Sequence, residues 1–452
     1  MTPKALVVGM ARSGIAAAAM LRRLGYEVTV NDTKPLEALQ EALKPLAGSG
    51  VRYALGCPAD EWVEGQTLIV VSPGVPLSLP FVQMARERKI PVIAEAELGY
   101  RYTRCPIAAI TGTNGKTTTT ALMGAIFRRA GYTTHVTGNI GLPISQVALD
   151  TPPGDRTAFE APSFMLEAID AFRPKVSAIL NITEDHLNRH GTMENYIALK
   201  ERVFANCREG DFVVLNYDNA VTRAMAADVK GSCRWFTRKS VVENGGFLRA
   251  DGMLCMAENG RVTPIVRRED VALRGEHNLE NLLAAFTAVW GMAEVSTMAA
   301  VAKSFAGVEH RIEPVRTLNG VQWFNDSIAT SPTRVIAGLR AFDQKLIIIA
   351  GGSDKGISFA PLAPELIAHV KTLILTGATA QKIEDAVKAD PGFAESGLVI
   401  LRAADMPQAV EMARAAAQPG DIVSLSPACA SFDSYPNFEA RGRHYKELVN
   451  AL

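Results

Sequence analysis

Short apolar runs alternate with helical segments along most of this chain. Leu6–Val8 precedes an alanine-rich stretch reaching Leu24, Glu27–Val30 ends at Asp32, and Thr67–Val71 runs into Ser72-Pro-Gly-Val75. Further on come Ile107–Ile110 before a helical Ala121–Phe127, then Ala158–Glu160, Val176–Ile182, Phe212–Leu215, Val321–Phe324, Lys345–Ala350, Thr372–Leu375 and Ile422–Leu425. Runs this short, bounded by Gly, Pro, Asn or Ser, predict strands buried on both faces, and their alternation with helices predicts an α/β fold with parallel sheets.

The alternation fades near Tyr100–Pro106 and again near residue 306, so three domains are expected: a Rossmann-like one over 1–105, a central P-loop ATPase-like one over 106–306 and a second Rossmann-like one over 307–452. A length of 452 residues agrees with about three domains. Between 230 and 275 the turn dipeptides Gly245-Gly246, Asp251-Gly252 and Asn259-Gly260 predict a small antiparallel insertion.

Composition narrows the function. Lys plus Arg and Asp plus Glu both number 47, leaving no net field to draw in nucleic acid or an anionic membrane, so anionic ligands need local sites. No apolar run reaches the roughly 18 residues of a membrane span. The six cysteines are scattered without a Cys-x-x-Cys pair, which suits reduced thiols in a cytoplasmic protein.

The strongest local signal is Thr111-Gly-Thr-Asn-Gly-Lys-Thr-Thr-Thr-Thr120 between a strand and a helix. Gly112 and Gly115 let backbone N–H groups face phosphate oxygens, with Thr113 and Asn114 between them. Lys116 adds a cation, Thr117 a hydroxyl for magnesium, and Thr118 continues into the helix. The spacing Gly112-x-x-Gly115-Lys116-Thr117 is a variant of the usual phosphate loop.

Four other positions carry weaker signals. Glu160 closes a strand ahead of a helix expected near Ser163, where it could hold magnesium or simply favour the helix dipole. Thr183-Glu-Asp-His186 follows a strand, and His186 is either a metal or phosphate contact or structural. Lys200 falls in the apolar stripe of Met193, Tyr196, Ile197, Val203 and Phe204, which implies either a snorkelling side chain or a buried amine able to form a carbamate. At the N-terminus, Gly9-Met-Ala-Arg-Ser-Gly14 followed by Asp32 resembles half a dinucleotide site, but Ala11 replaces its middle glycine. Asp32 could meet a ribose or serve as a turn residue. Polar loops also follow apolar runs at Gly275-Glu-His-Asn278 with Asn281, Glu309-His-Arg311, Asn325-Asp-Ser327, Gly351–Lys355 and Ser426-Pro-Ala-Cys-Ala-Ser431.

Taken in order, these motifs, together with Gly138-Asn-Ile-Gly141, resemble the bacterial Mur ligase family, most closely its D-glutamate-adding branch. The resemblance implies ATP and Mg2+ as cofactors and UDP-N-acetylmuramoyl-L-alanine and D-glutamate as substrates, joined through an acyl phosphate. The third domain is implied to be mobile, closing over ATP and bringing the amino acid. A monomeric chain without nucleic-acid or membrane partners is expected.

Residue by residue, the resemblance gives Lys116 to the γ-phosphate, Thr117 and Glu160 to one magnesium, and His186 and a carbamylated Lys200 to a second. Asn278, Asn281, Arg311 and Asp326 would serve ATP, and Gly14, Asp32, Gly74, Asn139 and His186 the UDP-substrate. Thr330, Lys355, Ser431, Phe432 and Phe438 would take glutamate. Pro162 and Met165 stand where the family carries a hydroxyl and an amide near the muramoyl substrate, and Ile328 stands where many members have lysine. Three rivals remain at this level: an oxidoreductase built on the first glycine loop, a folylpolyglutamate synthase sharing the phosphate loop, and a nucleotide-binding regulator without turnover.

Overall fold

A computed structural model describes residues 2–452 apart from His186, Arg274 and Lys355. The chain divides into two compact units, Met1–Phe305 and Ala306–Leu452.

The first unit holds two sheets. In spatial order the smaller runs Arg52–Leu55, Glu27–Asp32, Lys4–Val8, Leu68–Val71, Val92–Ala94, parallel throughout. The larger runs Arg261–Arg267, Met253–Glu258, Gly245–Leu248, Ser232–Thr237, Phe212–Asn216, Val176–Ile179, Ile107–Thr111, Arg156–Glu160, Thr134–Gly138. Its last seven strands are parallel. The second unit has one sheet, Glu313–Leu318, Val321–Asn325, Ile422–Leu425, Leu346–Ala350, Val370–Leu375, Val399–Arg402, antiparallel only at its first pair.

The uninterrupted apolar runs have a direct cause. Along Lys4–Val8, Ala5 and Val7 enter one core while Leu6 and Val8 enter another, and in the third sheet Leu346, Ile348 and Ala350 separate in the same way from Ile347 and Ile349. Ala108 and Ile110 likewise face away from Ile107 and Ala109 in the central sheet. Side chains alternate across a strand, so a sheet covered on both faces needs apolar residues at every position.

Two local expectations are corrected. The turn-rich stretch does form antiparallel pairs, but Trp235–Thr237 pairs in parallel with Gly245–Phe247, so the three strands extend the central sheet instead of forming a separate insertion. The helix expected near Ser163 is a single 3-10 turn, Ser163–Met165, with Pro162 at its N-cap and Leu166 at its C-cap. No helix among the described residues is long and apolar enough to cross a membrane.

Candidate active site

Three adjacent central strands deliver the chemistry to one sheet edge. Ile110 is in register with Glu160 and Thr111 with Ile179, so the phosphate loop, the carboxylate and the segment after Ile179 all leave the sheet at its carboxyl end. The loop from Gly112 feeds the helix Lys116–Arg129. Gly115 is its N-cap at φ +84, and a Cβ there would collide with Asn281 Oδ1, so glycine is required on both counts. The N–H of Thr113 donates to Asn181 O at 2.8 Å and that of Asn114 to Asn181 Oδ1 at 2.8 Å. Asn181 thus pins the loop from the neighbouring strand, a role that local spacing did not signal.

Asn281 is 6 % exposed; its Oδ1 accepts from Thr119 Oγ1 at 3.4 Å and its Nδ2 donates to Asn278 Oδ1 at 3.0 Å. Lys116 folds back onto the loop, donating to Gly112 O and Thr113 O at 2.9 and 2.7 Å. Thr117 and Thr118 lie half-buried in the first helical turn.

Glu160 is 1 % exposed. Its Oε1 accepts from Asn139 Nδ2 at 2.9 Å, whereas Oε2 is buried with no hydrogen-bond partner among the described residues. A carboxylate oxygen deprived of water and of donors is costly unless a cation meets it. Next to a phosphate loop, a hard oxygen donor of this kind fits a magnesium ion shared with a nucleotide. The alternative, stabilisation of a following helix, lapses because no such helix forms.

Lys200 is also 1 % exposed, which overturns the snorkelling alternative. Its Nζ donates to Gly112 O at 2.8 Å and sits 4.5 Å from the ring centroid of Tyr196. Burial, reinforced by the charge of Lys116, pulls its pKa down to about 7 despite the opposing Asp185. Tyr196, one helical turn earlier, reaches Thr113 Oγ1 at 3.3 Å.

After the first strand, the Gly9–Ala11 turn, which leads into the helix Arg12–Arg23 carrying Gly14, lies against the Ser72–Val75 turn, joined by Ser72 Oγ donating to Gly9 O at 2.7 Å. Asp32 accepts from the N–H groups of Met10 and Lys34 at 2.7 and 3.0 Å, so it organises the turn. A Cβ at Gly74 would meet open space. Met165 lies within the core cluster that contains Phe159, Ile182 and Tyr196, at 3 % exposure. Its replacement of an amide is therefore accommodated as packing.

The second unit gathers its own set. Asp326 is 4 % exposed and accepts from the Ile312 N–H at 3.2 Å; burial raises its pKa to about 7 against the pull of that bond, Arg311 and Arg334. Arg311 is exposed. Thr330 is half-buried, Ser431 buried and Phe432 exposed, while the Phe438 ring lies edge-on to His310 at 6.0 Å. Glu309, His310 and Glu313 cluster closely, but Lys446 bridges the two carboxylates at 2.7 and 2.9 Å, which makes the group an ion-pair network.

Sequence reasoning missed Arg441. This buried arginine donates to Ser327 Oγ and O at 3.0 and 2.9 Å, to Ala430 O at 3.1 Å and to Cys429 O at 3.1 Å, tying the Asn325–Ser327 loop to the Cys429–Ser431 loop. Desolvation lowers its pKa to about 10. His186 and Lys355 lie outside the described residues.

Comparison with known proteins places the chain in a family. Family models match at residues 3–94 (Mur ligase MurD-like, N-terminal domain), 110–289 (Mur ligase middle domain) and 310–429 (Mur ligase, glutamate ligase domain). The chain is 42 % identical over 450 residues, 99 % of its length and 98 % of the relative's, to UDP-N-acetylmuramoylalanine–D-glutamate ligase of Thermoanaerobacter pseudethanolicus. It is 41 % identical over 452 residues, with the same coverage, to the enzyme of that name from Clostridioides difficile. Among solved structures, UDP-N-acetylmuramate-alanine ligase MurC of Thermotoga maritima superposes with TM-score 0.58 at 17 % identity over all of both chains. MurF of Acinetobacter baumannii gives TM-score 0.55 at 16 % identity over 85 % of each. These likenesses show a shared fold. With three family models covering most of its length and full-length relatives above 40 % identity, the chain belongs to the Mur ligase family.

Proposed function

We propose that this protein is an ATP-dependent amide ligase that adds D-glutamate to UDP-N-acetylmuramoyl-L-alanine, the activity named for its full-length relatives. The observation that carries the reading is Glu160, a buried carboxylate with one unpartnered oxygen beside a phosphate loop. Residues 1–105 would hold the UDP moiety through Gly14, Asp32 and Gly74, 106–306 ATP, and 307–452 the amino acid through Thr330, Lys355, Ser431, Phe432 and Phe438. Asn278, Asn281, Arg311 and Asp326 would also serve ATP.

Glu160 and Thr117 would hold one magnesium, and His186 with a carbamylated Lys200 a second. Such ions supply charge neutralisation of phosphates and carboxylate. The neutral amine of Lys200, abundant when its pKa is about 7, adds to carbon dioxide with loss of one proton to give the carbamate. Lys116 has only to swing from the loop carbonyls to the γ-phosphate, exchanging two neutral acceptors for an anionic one. Asn139 orients Glu160 and stands at the muramoyl side.

The chemistry follows from what a carboxylate lacks. Its oxygen is a poor leaving group until phosphorylated by ATP; the glutamate amine then attacks the acyl phosphate, releasing phosphate and forming the amide. Phosphate release should be measured with ATP, magnesium and UDP-N-acetylmuramoyl-L-alanine, supplying D-glutamate, L-glutamate or no amino acid. Release that depends on D-glutamate, with the amide product seen by mass, is expected; none in any combination would refute the reading.

A further inference from the structure

Arg189 engages Glu167 with two parallel hydrogen bonds, Nε to Oε1 at 2.7 Å and Nη2 to Oε2 at 2.8 Å. The same Nη2 donates to Pro73 O at 3.4 Å in the Ser72–Val75 turn, and the guanidinium lies 5.6 Å from the Phe164 ring centroid. Next along the chain, His190 Nε2 meets Ser163 Oγ at 3.0 Å and its ring stacks on Tyr196 at 5.4 Å, whose hydroxyl reaches Thr113 of the phosphate loop. The short helix Leu187–His190 is therefore stitched on one side to the turn that leaves the first sheet and on the other to the phosphate loop.

We infer that Arg189, held flat by Glu167, is a positioning residue that fixes the Ser72–Val75 turn relative to the phosphate loop and so sets the placement of the sugar-nucleotide substrate. The inference rests on the functional reading above. A planar fork is needed because two bonds to one carboxylate define an orientation that a single ammonium cannot. Arg189 touches no reacting atom in this scheme; it acts through the turn.

The test compares the parent with Arg189→Ala, Arg189→Lys and Glu167→Gln in steady-state kinetics for all three substrates, with calorimetric binding of UDP-N-acetylmuramoyl-L-alanine in parallel. Expected is a rise of about tenfold or more in the sugar-nucleotide KM and Kd for Arg189→Ala, a smaller rise for Arg189→Lys and Glu167→Gln, and an ATP KM within about twofold of the parent. Unchanged sugar-nucleotide KM and Kd in a folded variant, or an equal loss for all three substrates, would overturn it. If Arg189→Ala does not fold, the two conservative variants decide by the same criterion. A parent without D-glutamate-dependent turnover would instead sink the functional reading, and the binding measurements would still decide the clamp.

Discussion

Lys116 and Lys200 donate to the same oxygen, the carbonyl of Gly112, at 2.9 and 2.8 Å. Two ammonium groups on one acceptor repel each other, which is part of why the pKa of Lys200 falls to about 7. Converting Lys200 to a carbamate would turn that repulsion into attraction. Lys200→Ala is therefore expected to lower ligation by at least about a hundredfold, and the parent's rate should rise with added bicarbonate after carbon dioxide is stripped. Full activity in Lys200→Ala together with no bicarbonate response would dismiss the carbamate.

Glu160→Gln separates binding of a cation from packing. The glutamine keeps an acceptor for Asn139 Nδ2 but loses the charge that stands without a partner. Because burying an uncompensated carboxylate is unfavourable, thermal stability in the absence of ligands should hold or rise, while magnesium-dependent phosphate release falls about a hundredfold. A magnesium titration and a melting scan on the same sample read both. A variant that melts lower and turns over normally would reverse the assignment.

Gly115→Ala tests the loop's geometry. The new Cβ brings the cost of a left-handed backbone, about 1–2 kcal/mol, and a collision with Asn281 Oδ1. ATP affinity should fall at least about tenfold. The collision itself is read from stability: Asn281→Ala should cost less melting temperature on the Gly115→Ala background than in the parent, and equal costs would show that Asn281 does not press on the loop.

Asp326 gives the second unit a distinctive pH response. Its folded pKa, about 7, lies above the ordinary 3.8, so the folded state holds an extra proton between those values. Its contribution to stability is full below about pH 4 and is lost as pH rises through 7. Plotted from pH 4.5 to 8.5, the melting temperature of Asp326→Asn minus that of the parent should grow more positive with pH. A flat difference would count against the buried carboxyl.

Arg441→Ala should destabilise the second unit by about 3 kcal/mol or more, since it strands several buried carbonyls at once. Denaturant unfolding followed at Trp323, buried in that unit, gives the readout. A change below about 1 kcal/mol would mean that water replaces the guanidinium.

What could be read from the sequence, and what could not, divides along the range of the interactions. The phosphate loop and the placement of Lys200 are local: glycine spacing and a helical stripe fix them, and Tyr196 and Lys200 one turn apart do land on one buried face. Asn181 owes its role to the parallel pairing of the strand before it with Ile107–Thr111, and Arg441 to the packing of its helix, Phe438–Ala451, against two distant loops, neither of which leaves a local trace. The strand pairing of Trp235 with Gly245 escaped for the same reason, although the turns around it were plain. Met165 was misleading in the opposite sense, because a motif position says nothing of whether its side chain faces a ligand or the core.

The contact between Asn281 and the phosphate loop joins residues 162 positions apart at Thr119. A ribosome adding about 5–20 residues per second needs roughly ten to thirty seconds to cover that distance. During that interval the glycine loop has emerged without the amide that closes over it. Nascent chains stalled before Asn281 should accordingly be unable to retain nucleotide, which makes ATP competence a late event in the life of the growing polypeptide.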